Sequence, residues 1–306
     1  MTFCLKILGS SSALPTSKRF PTAHALNIHE RFFLIDCGEG TQIQLRRYKL
    51  QFSRINNIFI SHLHGDHFFG LFGLISTFDL LGRKSDLHIY SHPQLEKMFS
   101  GESAPLNRED LKFKLVFHHL NHRTNQVLYE DNKVIVESFP QKHRISCWGF
   151  IFRENPEKRE QKIRKDLIPF YKLSIEQILK LKKGLDIELE DGTILLNKNL
   201  TLDPPEPKKY VFCTDTVSLE KNIKYMENAD ILYHEATYDK SKLKLAKETG
   251  HTTAEQAANL AKKANVKQLI IGHFSSRYVH LDILLQEAKT VFEKTILADE
   301  GLEINL

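Results

Sequence analysis

Four side chains of metal-ligand type crowd into six residues of Ser61-His62-Leu63-His64-Gly65-Asp66-His67. His62 and His64 lie two apart in text that reads as extended, so both point to one side. Gly65 permits a turn, and Asp66 and His67 then come back toward the same point. That is more than one tetrahedral metal needs from a single loop, and it suggests two metals sharing a site. Further candidates fall just past apolar runs: His143, Asp215, the pair His234-Glu235, and His273. Groups at the carboxyl ends of strands are where sites assemble in α/β folds. The count then closes. His62, His64 and His143 serve one metal, Asp66, His67 and His273 a second, and Asp215 bridges them with its two oxygens. Imidazole and carboxylate without thiolate suit zinc, with manganese and iron as alternatives. Two metals about 3.5–4 Å apart can clamp both oxygens of an in-line phosphoryl displacement, and water between them is deprotonated near neutral pH.

Gly250-His251-Thr252-Thr253-Ala254-Glu255 adds a second element. Thr252 with Glu255 has capping-box spacing and places His251 at a helix start. Such an end favours an anion, which makes Thr252 and Thr253 candidate phosphate contacts. His251 is a candidate proton donor to a leaving oxygen, oriented by Glu235. The chain has 15 histidines. His24, His29, His88, His92, His118, His119, His122 and His280 show no such pattern and are expected mostly at the surface or in turns.

These residues must be carried by alternating short strands and helices. Strands are expected at 2–8, 25–28, 32–35, 55–60, 87–90, 113–117, 133–139 and 148–152, and later at 210–213, 231–233 and 268–271. Helices are expected at 41–48, 68–81, 253–265 and 282–292. The pattern predicts an α/β chain in two similar halves. Between them, from Arg153 to Pro207, the character changes. Residues 158–183 hold nine basic and three acidic residues, residues 184–207 six acidic and one basic, and the segment ends in Asp203-Pro204-Pro205-Glu206-Pro207. It reads as an insertion, with an amphipathic helix over 174–183.

The bulk numbers exclude more than they assert. With 306 residues a sizeable core is available, and Cys4, Cys37, Cys147 and Cys213 show no CxxC spacing, so a disulfide scaffold and a thiolate zinc site are out. No run of about 18 apolar residues is present, so no membrane-spanning helix and a cytoplasmic setting are expected. Net charge is +5, from 43 basic against 38 acidic residues, which permits a nucleic-acid partner.

The segment Ser61–His67 resembles the HxHxDH motif of the metallo-β-lactamase superfamily. Longer text resembles its ribonuclease Z branch, the tRNA 3′-processing endonucleases: Asp36-Cys37-Gly38-Glu39-Gly40-Thr41-Gln42, His234-Glu235-Ala236-Thr237-Tyr238, Gly250-His251-Thr252-Thr253-Ala254, and Gly272-His273-Phe274-Ser275-Ser276-Arg277-Tyr278. The order is that of the family and spans both halves. The resemblance implies an α/β four-layer αβ/βα sandwich as one domain, 1–306, with a flexible arm inserted at 153–207 that grips tRNA. It implies two Zn2+ per subunit, a homodimer, and a precursor tRNA cut to leave a 3′-hydroxyl on the tRNA and a 5′-phosphate on the trailer. It implies the same seven ligands, with Asp66 also the general base. Lys162, Arg164 and Lys165 are the basic arm residues expected to hold phosphates. Lys18 and Arg19 stand in the loop that reads the acceptor end, where the family's PxKxRN is Pro15-Thr16-Ser17-Lys18-Arg19-Phe20 here. The family's Gly-Pro arm motif is missing from Asp166-Leu167-Ile168-Pro169-Phe170-Tyr171. Alternatives are a hydrolase of small phosphodiesters or other esters, a di-iron redox protein, for which Gly65 stands where Glu is usual, and an RNA-binding subunit without catalysis.

Overall fold

Strands with apolar residues at every position need cover on both faces, and this chain supplies it. The computed structural model describes residues 2–14, 16–101, 104, 106–121, 123–156, 160–204 and 206–306. His122 lies outside them. The chain divides into two compact units, residues 1–130, 134–153 and 208–306 in one, and 131–133 with 154–207 in the other.

The large unit holds two seven-stranded sheets. The first runs Glu303–Asn305, Phe3–Gly9, Ala23–Ile28, Arg31–Ile35, Ile55–Phe59, Leu87–Ser91, Leu115–His119. The second runs Thr295–Leu297, Gln268–Gly272, Ile231–Glu235, Lys209–Cys213, Trp148–Glu154, Val134–Pro140, Gln126–Glu130. Each contains four successive parallel strands, extended by antiparallel neighbours. The two expected halves are therefore real, although the last strand, Glu303–Asn305, pairs with Phe3–Gly9 of the opposite half.

Alternation along the strands builds four layers. Tyr210, Phe212, Ile231, Tyr233 and Ile270 of the second sheet share one core with Phe33, Ile35 and Phe59 of the first. Val211, Leu232, Leu269 and Ile271 turn the other way, against the helices Ala254–Lys263 and Asp282–Val291. Leu34 and Ile58 likewise turn outward to Leu71, Leu74 and Ile75 of the helix Gly70–Leu80. One buried residue of this size contributes about 1.5–3 kcal/mol.

Several expectations need correction. The helix expected at 68–81 is two, Gly65–Phe68 and Gly70–Leu80. The break arises because the Gly70 N–H donates to the Cys37 carbonyl at 2.9 Å and leaves the helical ladder. The N-terminal cap of the helix Ala254–Lys263 is Thr253, not Thr252: Thr253 and Gln256 form the capping box. His234 and Glu235 end their strand rather than follow it. The strand Gln126–Glu130 was not expected, since its Gln126, Tyr129 and Glu130 hide the apolar period. His24 is fully buried, with Nδ1 2.8 Å from the Tyr210 hydroxyl and its ring edge-on to Tyr233.

The small unit has a core of its own. Leu173, Leu181, Ile187 and Leu200 are buried together. Around them lie the strand pairs Lys162–Ile163 with Thr201–Leu202 and Ile187–Glu188 with Ile194–Leu195. The expected amphipathic helix is Ile175–Lys182, closed at its start by a Ser174–Gln177 capping box.

Candidate metal centre

Strand ends deliver every one of the seven expected ligands to one place. His62 and His64 leave the strand Ile55–Phe59, and Asp66 and His67 lie in the single turn Gly65–Phe68. His143 follows Val134–Pro140, Asp215 follows Lys209–Cys213, and His273 follows Gln268–Gly272. His62, His64, His143 and Asp215 can bring one donor atom each within 4.8 Å of one another, and so can Asp66, His67 and His273. Asp215 joins the groups. Its Oδ2 is 3.5 Å from His62 Nε2 and 3.6 Å from His143 Nε2, while its Oδ1 is 3.3 Å from His67 Nε2 and 3.1 Å from His273 Nε2.

The imidazoles are aimed by their rear nitrogens. His67 Nδ1 lies 2.7 Å from Asp36 Oδ2, His143 Nδ1 2.9 Å from the Gly250 carbonyl, and His273 Nδ1 3.0 Å from the Thr237 hydroxyl. Such partners fix the ring tautomer and leave the forward nitrogen free to ligate. Asp36 is held in turn by the Ser61 N–H and hydroxyl, which donate at 2.7 and 2.8 Å.

Burial, with His67 close by, holds the His62 imidazole neutral, down to about 3. Burial also lowers His64 and His143. His67 goes the other way: burial would lower it, but Asp66, Asp215 and Asp36 outweigh that and raise it. Asp66 and Asp215 resist burial and stay ionised because of the surrounding histidines.

These residues fit divalent cations. Forward nitrogens crowd together, with His64 Nδ1 3.0 Å from His62 Nε2 and 3.2 Å from His143 Nε2. His67 Nε2 is buried without a hydrogen-bond partner among the described residues. Three buried carboxylates, Asp36, Asp66 and Asp215, lie close around it. The donors are nitrogen and oxygen only, which suits zinc.

Beside this centre stands a second dyad. His251 Nδ1 is 2.9 Å from Glu235 Oε1. Glu235 is fully buried and accepts from the Thr216 N–H at 2.8 Å, the Thr237 hydroxyl at 2.6 Å and the Thr252 N–H at 3.1 Å. Burial would lower the His251 pKa, but the Glu235 charge prevails and raises it to about 9. A cavity of about 580 Å3 is lined by His64, Asp66, His143, Asp215, His251 and His273.

The other expected contacts fare differently. Thr252 and Thr253 are fully buried, the first donating to the Thr216 carbonyl at 2.5 Å and the second capping its helix, so neither offers a hydroxyl to a ligand. Arg19 donates to the Tyr278 carbonyl at 2.8 Å, and Lys18 is exposed on the same loop. Lys162, Arg164 and Lys165 are exposed on the small unit. His234 is buried, with Nδ1 2.8 Å from the Glu235 carbonyl. Asp36, Thr237 and the Gly250 carbonyl were not expected as supports. Asp36 carried the same signal as the ligands, since it directly follows the strand Arg31–Ile35.

Two facing seven-stranded sheets, helices outside both, and a histidine–carboxylate cluster at the strand ends define a metallo-β-lactamase fold. The metallo-β-lactamase fold protein YhfI from Bacillus subtilis superposes with a TM-score of 0.70 at 17% identity, covering 100% of both chains. Human tRNase Z, short form, superposes with a TM-score of 0.69 at 28% identity, covering 98% of both. A ribonuclease Z of Bacteroides fragilis is 47% identical over 306 residues, 99% of either chain. The chain belongs to the ribonuclease Z family, and its residues 3–159 also match the family described as Anti-Pycsar protein Apyc1.

Proposed function

We propose that the converging histidines and carboxylates hold two zinc ions per subunit and hydrolyse the phosphodiester that joins tRNA to its 3′ trailer. The chain is a tRNA 3′-processing endonuclease, in line with its full-length likeness to ribonuclease Z. The observation that carries the site is the division of Asp215 between two ligand groups, one oxygen to each. His62, His64 and His143 belong to one ion, Asp66, His67 and His273 to the other. Zinc there would supply positive charge against the phosphoryl oxygens and acidify the attacking water.

The chain's own groups do the rest. Asp66, ionised and turned toward the cavity, accepts the proton of the attacking water. His251, protonated and oriented by Glu235, donates a proton to the leaving 3′-oxygen of the tRNA. The 5′-phosphate then stays with the trailer. The exposed Lys162, Arg164 and Lys165 give phosphates a place to bind, and the insertion 153–207 that carries them is the tRNA-gripping arm. Lys18 belongs to the loop facing the acceptor end. The homodimer and the cytoplasmic setting belong to the same proposal on the strength of the family resemblance, and light scattering on the purified protein tests the first. No helix among the described residues is long and apolar enough to cross a membrane.

Mapping the cut on a precursor tRNA tests the whole. His64→Ala and Asp66→Ala are expected to lose cleavage by several orders of magnitude while still retaining tRNA in a filter-binding assay. Cleavage at the wild-type rate by either variant would sink the assignment.

A further inference from the structure

An aromatic ring stands largely exposed at the rim of this cavity. Phe69 is 59% exposed and Leu14 is 65% exposed, yet both line the cavity that holds Asp66 and His251. Phe69 follows the ligand loop directly, and its ring lies against Gly65, between His64 and Asp66. A Cβ at Gly65 would run into the ring. Gly65 keeps a negative φ, since it is absent from the left-handed residues, so a side chain there would displace this ring rather than strain the turn. The ring thus packs against Gly65 and edge-on to Phe68, with centroids 4.9 Å apart, while more than half of it stays exposed. A cavity of about 580 Å3 is of the size that encloses one small-molecule group. Arg277 and Ser276 on its wall add polar groups beside the apolar pair.

We propose that Phe69, together with Leu14, forms the stacking platform for the base of the nucleotide whose 3′-oxygen leaves, the last nucleotide of the tRNA. Unpaired bases at RNA ends are recognised by stacking on aromatic side chains. The ring lies close in sequence to two ligands, so a base on it belongs to a nucleotide flanking the scissile phosphate. The assignment to the 5′ side rests on the reading of His251 as the donor to the leaving oxygen, because His251 lines this cavity. A second cavity, of about 790 Å3, opens past His64 and His143 and contains neither His251 nor Asp66.

The test compares wild type, Phe69→Ala and Phe69→Trp on three precursor tRNAs: intact, abasic at the nucleotide 5′ of the cut, and abasic at the nucleotide 3′ of it. Phe69→Ala is expected to lower kcat/KM on the intact precursor about 5- to 100-fold, mostly through KM, as loss of one base stack does. Phe69→Trp is expected to stay within a few fold of wild type. On the 5′-abasic precursor the wild type and Phe69→Ala become equal, and on the 3′-abasic precursor the gap remains. No effect of Phe69→Ala on the intact precursor, a gap that survives the 5′-abasic change, or a gap that closes only with the 3′-abasic change overturns the proposal. The position of the wild-type cut on the intact precursor is read in the same assay, so failure of the functional reading is seen separately.

Discussion

Asp36, Asp215 and His273 share a backbone conformation that side chains avoid: φ is 55°, 40° and 58°. A non-glycine residue held there costs about 1–2 kcal/mol. Each of these follows a strand end directly or nearly so, and each presents its side chain to the metal centre or its support. At these three positions the conformation turns side chains over a strand edge that an ordinary continuation would carry past. The Glu235–His251 dyad is a second local device. Raised to about 9 by Glu235 against the effect of burial, His251 stays protonated through neutral pH. In the proposed role of acid it must hold its proton, and activity is then expected to fall as pH rises through its pKa. Glu235→Gln removes the charge that lifts it. The alkaline limb of the rate–pH profile is then expected to move down by roughly 1–3 pH units, the size of one close charge pair. An unmoved limb with kcat intact would mean that His251 carries no proton in the reaction.

At the scale of elements, the ligand turn depends on how closely two backbones approach. Gly70 sits on the carbonyl of Gly38, and a Cβ there would meet that oxygen. The same approach lets the Cys37 N–H donate to the His67 carbonyl at 2.7 Å. The segment 36–38 thus braces the turn through its backbone and orients His67 through Asp36. Gly70→Ala has only rigid backbone to push against. It is expected to lower stability by about 1–3 kcal/mol in denaturant unfolding, the usual cost of overpacking, and to reduce bound divalent metal measured by metal analysis. Full metal content with unchanged stability would show that the two backbones can part without harm to the turn. The apolar period made the helix from Leu71 onward readable, but its break at Phe69 comes from a hydrogen bond to a residue 33 positions earlier.

For the whole molecule, the two sheets matter because each contributes part of the centre. His62, His64, Asp66 and His67 come from the first, and His143, Asp215 and His273 from the second. Each of the two candidate ligand groups draws residues from both sheets. The modest total charge of +5 averages over strongly basic and strongly acidic stretches of the small unit. If the basic stretch holds tRNA, replacing Lys162, Arg164 and Lys165 together by Ala raises KM for precursor tRNA without slowing hydrolysis of bis(p-nitrophenyl) phosphate. The slope of log affinity against log salt is expected to fall by about one for each phosphate that the variant no longer neutralises. Equal losses on both substrates would make the unit structural.

The sequence by itself determined which histidines and carboxylates are candidate ligands, because residue type and the strand-end rule act over a few neighbouring positions. His62 to His67, His143, Asp215 and His273 could be named from their neighbours alone, and so could the insertion, from its charge and prolines. Only the tertiary structure decided what supports them. Asp36 behind His67, the Gly250 carbonyl behind His143 and Thr237 behind His273 are partners set by how distant segments pack. Packing also withdrew Thr252 and Thr253 from any ligand, moved the helix cap by one residue, and gave Gly70 its reason. Those depend on which atoms lie across a gap of a few ångströms, and no local pattern in the chain encodes that.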